Sequence, residues 1–204
     1  MEKYRIEPKI DKRTKDGRAE WTKWMNDLPR DAVVVNEKDG DLLLKMVGRL
    51  WNHPKVPKIF SKGKAEQSGF WIDKGTNIVC KTRTDFVTDD DILIELKTTE
   101  DASPKEFSRS IYNYGYHYQL AWNIRGFKEI TGRDIKSALF VVSEKKTPND
   151  CAIYLADKEM IAIADSHINF LMEQMNQCIA DASWMGYGNE IEEIKLPKWA
   201  YAEG

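Results

Sequence analysis

The sequence has few cysteines and no long apolar run. Its three cysteines, Cys80, Cys151 and Cys178, are odd in number and lie far apart. We therefore expect neither a disulfide framework nor a zinc or iron–sulfur ligand set, and we expect a reducing, cytoplasmic location. Apolar runs such as 32–35 and 139–142 are only a few residues long, whereas a membrane-spanning helix needs about 20 residues. No membrane partner is expected.

Neither sign of charge dominates the chain. The 31 basic and 33 acidic residues leave a net charge of −2, which excludes a histone-like polycation and leaves any nucleic-acid contact to a local basic patch. Seven Trp, eight Tyr and seven Phe exclude a disordered chain. A length of 204 residues fits one domain with a full core. We expect a single domain over 1–204, with a polar leader at 1–16, a candidate catalytic core at 66–156 and a tail at 184–204.

Apolar periodicity predicts alternating helices and strands after an aperiodic segment at 5–16. Spacings of three and four residues predict helices, and short apolar runs between turn residues predict strands. The predicted helices cover 17–30, 41–51, 104–125 with a break or kink at Gly115, and 157–182. The predicted strands cover 33–35, 69–72, 78–87, 92–98, 138–143 and 151–155. This order predicts an α/β fold in which a central mixed sheet is flanked by helices.

Two of the predicted strands bring charged residues together. Alternation along a strand predicts one shared face for Lys81, Arg83, Asp85 and Val87. It also predicts that Glu95 and Lys97 share a face of the next strand. A hairpin folded about Asp90 then sets Asp85 opposite Glu95, with Lys97 beside them.

This group of charges is suited to metal-dependent chemistry. Grouped carboxylates repel each other unless a cation relieves the repulsion, and carboxylate oxygens are ligands that Mg²⁺ or Mn²⁺ prefers. A neighbouring lysine such as Lys97 can hold the attacking water and help to deprotonate it, which suits phosphodiester hydrolysis. An ordinary Glu–Lys pair on a surface strand is the alternative interpretation.

Longer motifs surround these charges. They read C-K-T-R-T-D at 80–85, I-E-L-K-T-T at 94–99 and Y-H-Y-Q-L-A at 116–121, with A-E-Q-S at 65–68 and a tail at 184–199 that contains L-P-K-W. In this order they resemble the PD-(D/E)XK nucleases. Within that superfamily they resemble the exonuclease VIII (RecE-type) branch of phage and prophage recombination exonucleases. The resemblance covers about residues 8–201.

The resemblance implies a restriction-endonuclease-like core and a set of site residues. The implied metal ligands are Glu66, Asp85, Glu95 and the carbonyl of Leu96. Lys97 would orient the water and Gln119 would assist it. The implied cofactor is Mg²⁺, with Mn²⁺ as a second choice. Neither a nucleotide nor an iron–sulfur cluster is expected.

Four candidate site residues also have a structural interpretation. Glu66 is a further acidic ligand or a helix-end carboxylate, and Gln119 is a site residue or a buried helix amide. His117 either touches the scissile phosphate or is a packed imidazole. Arg83 either binds a phosphate or pairs with Glu66 or Glu95.

A basic segment precedes Glu66. Lys55, Lys58, Lys62 and Lys64 lie between 53 and 64 without an acidic neighbour. Such a loop either binds backbone phosphates or is simply solvated.

The resemblance implies a Mg²⁺-dependent deoxyribonuclease acting on DNA, in a bacterial or phage-infected cell. The most specific expectation is a 5′→3′ double-strand exonuclease for recombination, homo-oligomeric and working with a single-strand annealing protein. The alternatives are an end-independent endonuclease of the same fold and a non-catalytic DNA-binding or assembly module. Relatives usually carry an upstream region that contributes to the DNA-end pocket, and we expect weaker selection for 5′-phosphate ends without it.

Overall fold

The computed structural model describes residues 3–184, 186–188 and 190–197. Its elements are β1 (Tyr4–Ile6), α1 (Lys15–Asn26), β2 (Val33–Val35), α2 (Glu37–Asn52), α3 (Val56–Ile59), β3 (Gly63–Ile72), β4 (Val79–Thr88), β5 (Ile92–Thr99), α4 (Pro104–Asn113), α5 (Tyr116–Thr131), β6 (Ser137–Glu144), β7 (Cys151–Leu155) and α6 (Lys158–Ala180). Within the described ranges, no helix is both long and apolar enough to cross a membrane. The end of the tail motif, Trp199 and Ala200, lies outside the described residues.

The centre of the fold is a sheet of five strands in the order β3-β4-β5-β6-β7. Neighbouring strands are antiparallel except β5 and β6, which are parallel. A parallel pair requires a crossover connection, and α4 and α5 form it between β5 and β6. The predicted mixed sheet flanked by helices is confirmed.

Helices cover both faces of this sheet. On one face α4 and α5 bury a cluster that includes Leu93, Phe107 and Leu120, and α6 packs against α5. On the other face Val56 of α3 joins a cluster with Ile94 of β5. Residues 93–95 of β5 are therefore buried on both faces of the sheet, so a charged side chain there is withdrawn from water.

Glycines set both ends of α5. Gly115 has a φ of 66° and separates α4 from α5, which confirms the predicted break. Gly132, with a φ of 71°, ends α5 beyond the predicted end at Arg125, in the left-handed conformation that commonly terminates helices.

A third glycine allows α5 to approach the sheet closely. A Cβ at Gly126 would lie 2.7 Å from Cγ2 of Thr82 and 2.9 Å from the Trp71 ring. Because these distances are shorter than van der Waals contact, the helix backbone reaches this position only without a side chain.

Two segments differ from the sequence-based expectation. The segment 5–16, expected to be aperiodic, includes part of β1, which pairs in parallel with β2. It also contains the start of α1, where the Thr14 hydroxyl caps the helix by accepting the Gly17 N–H. Strand β3 begins at Gly63, earlier than the predicted strand at 69–72. Glu66 therefore lies on a strand, so the helix-end alternative for it is wrong.

Candidate active site

The β4–β5 hairpin opens at the predicted carboxylates. Phe86 pairs with Ile94 and Val87 pairs with Leu93, a register that sets Asp85 opposite the residue that follows Ile94. At Asp85 the backbone ladder stops, and the Asp85 Oδ2 atom accepts the Leu96 backbone N–H at 2.9 Å. A side chain thus replaces a backbone partner, and the two strands part at this point.

The side-chain alternation of β4 is broken at the same place. Thr84 and Val87, three residues apart, line one groove together with Phe127 of α5, whereas Phe86 packs on Phe60 at the other face of the sheet. The register between β3 and β4 likewise skips Asp85. An irregularity of this kind redirects a side chain at the edge of regular pairing.

The break in the alternation of β4 contradicts one prediction about which residues share a face of this strand. Because Thr82 faces α5, alternation places Lys81 and Arg83 on the opposite face from Val87. The prediction that Lys81, Arg83 and Val87 share a face is therefore wrong.

The structure brings Asp85, Glu95 and Lys97 together. The Lys97 Nζ atom lies 2.8 Å from Glu95 Oε2 and 3.9 Å from Asp85 Oδ2. The Glu95 side chain is fully buried, Lys97 is 10% exposed and Asp85 is 32% exposed. The two carboxylates therefore converge on one ammonium group, and Asp85 lies on the solvent side.

Burial dominates the electrostatics of Glu95. Withdrawal from water raises the pKa of this carboxyl, and the Asp85 charge adds to the rise, while Lys97 and a hydrogen bond from Asn123 oppose it. The net direction is upward. The ionised form of Glu95 is therefore less favourable in this site than it is in water.

Tyr116 closes the site over Lys97. The Lys97 Nζ atom lies 5.2 Å from the centre of the Tyr116 ring, within the range of a cation–π contact. Tyr116 is the first residue of α5, directly after the left-handed Gly115. The turn between α4 and α5 thus positions an aromatic ring above the ammonium group.

Gln119 lies on the same side of α5 as this ring. It is three residues after Tyr116 and four before Asn123, so all three share one helical stripe. Asn123 contacts Glu95, and Gln119 itself is exposed. Its proposed role is compatible with this position, whereas the alternative of a buried amide is wrong.

His117 is a packed imidazole in the structure. It is buried, its Nδ1 atom is 3.1 Å from the Ile111 carbonyl oxygen, and its ring stacks on Tyr112. These contacts join α4 to α5 and favour the structural alternative over a phosphate contact.

Glu66 and Arg83 form an ion pair with each other. Glu66 has a φ of 53° on β3, and its side chain is more than half exposed. In the described ranges no cluster of three or more Asp, Glu, His or Cys side chains is positioned to hold a metal. A metal-ligand role for Glu66 stays a prediction, and it requires Glu66 to break its ion pair with Arg83. Phosphate binding by Arg83 requires the same ion pair to break.

The backbone of Leu96 lies at the opening of the hairpin. Its N–H points toward β4, where it meets Asp85. The N–H and C=O of one strand residue face the same edge, so the Leu96 carbonyl faces the opening as well. This orientation suits its predicted role as a ligand.

The four predicted DNA-binding lysines are exposed but do not share one surface. Lys58 belongs to α3, which packs on the face opposite α5, Lys55 directly precedes this helix, and Lys62 follows it in the turn. Lys64 lines the groove beside Phe127 of α5. Among the described residues, none of these four amino groups lies within 4.0 Å of a carboxylate. The segment wraps around an edge of the sheet.

Replacing Lys55, Lys58, Lys62 and Lys64 by Ala together is expected to weaken DNA binding and its salt dependence. Each lost phosphate contact removes about 0.9 from the slope of log K against log salt on duplex DNA. Fluorescence anisotropy at several salt concentrations measures this slope.

A matched control removes four exposed lysines from other helices, namely Lys23 of α1, Lys38 and Lys45 of α2, and Lys158 of α6. If the two variants change the slope equally, the basic segment has no specific role.

Two site residues were missed from the sequence. Asn123 of α5 donates from Nδ2 to Glu95 Oε1 at 2.6 Å, and the Thr82 hydroxyl donates to Asn123 Oδ1. Both residues are buried. Their only sequence signal is position: Asn123 lies one helical turn after Gln119, on the stripe that faces the charged strand.

Comparisons with known proteins identify the family of the chain and a solved structure of similar fold. Residues 7–197 match a family described as a PDDEXK-like domain of unknown function (DUF3799). No curated protein matches the sequence. A solved candidate exonuclease from Eubacterium rectale is similar in fold, with a TM-score of 0.61 and 11% identity over 92% of this chain and 75% of that chain. An alkaline exonuclease from Laribacter hongkongensis matches over 67% of this chain and 73% of that chain, at 16% identity and a TM-score of only 0.27.

Proposed function

The chain belongs to the family of PDDEXK-like domains of unknown function, and from that premise we propose that it is a divalent-metal-dependent deoxyribonuclease. The observation that carries the proposal is the convergence of Asp85 and Glu95 on Lys97 at the opening of the hairpin. A buried Glu–Lys pair alone would explain two of these groups. It would not explain why a second carboxylate, on another strand, reaches the same ammonium group.

The available donors fit a hard cation. Asp85 and Glu95 offer carboxylate oxygens and Leu96 offers a carbonyl oxygen at the same opening, and Mg²⁺ and Mn²⁺ prefer such ligands. Burial raises the pKa of Glu95, and a bound cation would offset this cost of ionisation. When bound, the ion supplies a Lewis acid that polarises the phosphate and acidifies water.

Lys97 has a separate task in the reaction. Its ammonium group donates to the attacking water and to the charge that develops on the phosphate oxygens. The water oxygen forms the new P–O bond and its proton passes to solvent, while the bond to the leaving deoxyribose oxygen breaks and that oxygen takes up a proton from solvent. Tyr116 limits the water around Lys97 and so strengthens its electrostatic effect.

The finer proposal is a Mg²⁺-dependent 5′→3′ exonuclease on double-stranded DNA for phage-type recombination. The combined motifs at 80–85, 94–99 and 116–121 support it, as does the fold likeness to a candidate exonuclease. A homo-oligomer and an annealing partner belong to the same proposal. An end-independent endonuclease is the enzymatic alternative, and a DNA-binding module is the non-catalytic one.

One digestion experiment separates these possibilities. Linear, nicked and closed circular duplexes are incubated with Mg²⁺, Mn²⁺ or EDTA. An exonuclease degrades the linear form and leaves the closed circle intact, and an endonuclease cuts the closed circle. DNA binding without cleavage of any substrate would contradict the proposed function and favour the binding module. Degradation that persists in EDTA would contradict the metal requirement.

A further inference from the structure

A buried chain of hydrogen bonds ends on the carboxylate of Glu95. The Thr82 hydroxyl of β4 donates to Asn123 Oδ1, and Asn123 Nδ2 donates to Glu95 Oε1 at 2.6 Å. The other carboxylate oxygen, Oε2, is held by Lys97 at 2.8 Å. Both oxygens of Glu95 therefore have a fixed partner, and the plane of the carboxylate is determined.

Thr82 fixes the end of the Asn123 amide that does not meet Glu95. An amide offers a donor at one end and an acceptor at the other. Because a carboxylate only accepts, Glu95 takes the Asn123 amide N–H, and the Thr82 hydroxyl donates to the oxygen at the other end of the amide. Without that hydroxyl the buried Oδ1 atom would lose its donor, and the amide that holds Glu95 would lose one of its two fixed contacts.

Attachment of α5 to the sheet does not require this arrangement. The neighbouring Trp122 already joins α5 to β4, since its indole N–H donates to the Lys81 carbonyl at 2.8 Å. If Asn123 only anchored α5, a hydrogen bond from its amide to the backbone of β4 would serve equally well. The Asn123 amide instead ends on the one fully buried carboxylate of the candidate site.

We propose that Thr82 and Asn123 are positioning residues that hold Glu95 in its metal-binding orientation. The inference rests on the proposed function and deepens it. Residues that orient a metal ligand typically contribute 10–100-fold to metal affinity. The pair acts through Glu95 and needs no contact with DNA, so it affects metal binding and turnover more than DNA affinity.

Thr82→Val, Thr82→Ser and Asn123→Leu test the proposal. Thr82→Val keeps the side-chain shape without the hydroxyl, and Thr82→Ser restores the hydroxyl. Mg²⁺ affinity is measured by titration calorimetry, and kcat and KM are measured on linear duplex. Thr82→Val and Asn123→Leu are expected to weaken Mg²⁺ binding about tenfold or more and to lower kcat, with KM for DNA within about twofold. Thr82→Ser is expected to behave like the wild type.

Trp122→Phe is the matched control, because it removes one hydrogen bond between α5 and β4 that does not reach Glu95. Equal losses of Mg²⁺ affinity in Trp122→Phe and Thr82→Val would overturn the positioning role and leave a structural one. Wild-type Mg²⁺ affinity and kcat in both Thr82→Val and Asn123→Leu would overturn it as well. A wild-type chain that neither binds Mg²⁺ nor cleaves DNA would instead overturn the proposed function, and this inference with it.

Discussion

Asp85→Asn and Glu95→Gln are each expected to reduce metal-dependent cleavage by at least about a hundredfold. Each change removes the negative charge of a proposed ligand and keeps its shape. Because a metal ion contributes several kcal/mol to stabilising the transition state, losing it corresponds to two or more orders of magnitude in rate. Single-turnover rates on linear duplex at saturating Mg²⁺ measure the effect, and thermal unfolding shows that the variants remain folded.

The matched control for Asp85→Asn is Asp157→Asn. Both carboxylates accept a backbone N–H at 2.9 Å, Asp85 from Leu96 and Asp157 from Met160 at the start of α6. Only Asp85 is near Lys97. The control should therefore keep the wild-type rate, and near-wild-type rates in Asp85→Asn and Glu95→Gln would exclude this site.

Lys97→Ala and Lys97→Met are expected to lower turnover of bound DNA by about 10²–10³-fold, the usual effect of losing one donor to a developing oxyanion. DNA affinity should change little, because Lys97 is 10% exposed and lies beneath the Tyr116 ring. Lys97→Met keeps most of the side-chain volume. Equal losses of turnover in the two variants would therefore show that turnover depends on the charge of Lys97.

Binding and turnover must be measured separately for these variants. Anisotropy in Ca²⁺ or EDTA gives DNA affinity, and single-turnover cleavage in Mg²⁺ gives the rate. Lys74→Met, which removes an exposed lysine paired with Glu129, controls for the loss of one positive charge. A fall in affinity without a fall in the rate of bound DNA would make Lys97 a phosphate-binding residue only.

The hairpin was predictable because its signals are local. The acidic turn at 88–91 set the register about Asp90, and that register places Asp85 opposite Glu95 as expected. The spacing of Glu95 and Lys97 placed both on one strand face, where they form an ion pair. The superfamily resemblance drawn from these motifs is confirmed by the family match.

The rest of the site depends on contacts between distant segments. Alternation alone placed Arg83 with Val87, but the break at Asp85 depends on where β5 stops pairing with β4. Asn123 joins the site only because α5 crosses above β4 at close range. A single sequence carries no direct signal for either arrangement, so local periodicity could not reveal them.

The close approach at Gly126 links this position to two of its neighbours. A side chain at 126 would collide with the methyl group of Thr82 and with the Trp71 ring. Serine at 82 would remove that methyl group and keep the hydroxyl that contacts Asn123, but the collision with Trp71 would remain. Descendants of this sequence are therefore expected to keep glycine at 126 for as long as Trp71 keeps its place, and they can exchange threonine for serine at 82 without losing the partner of Asn123.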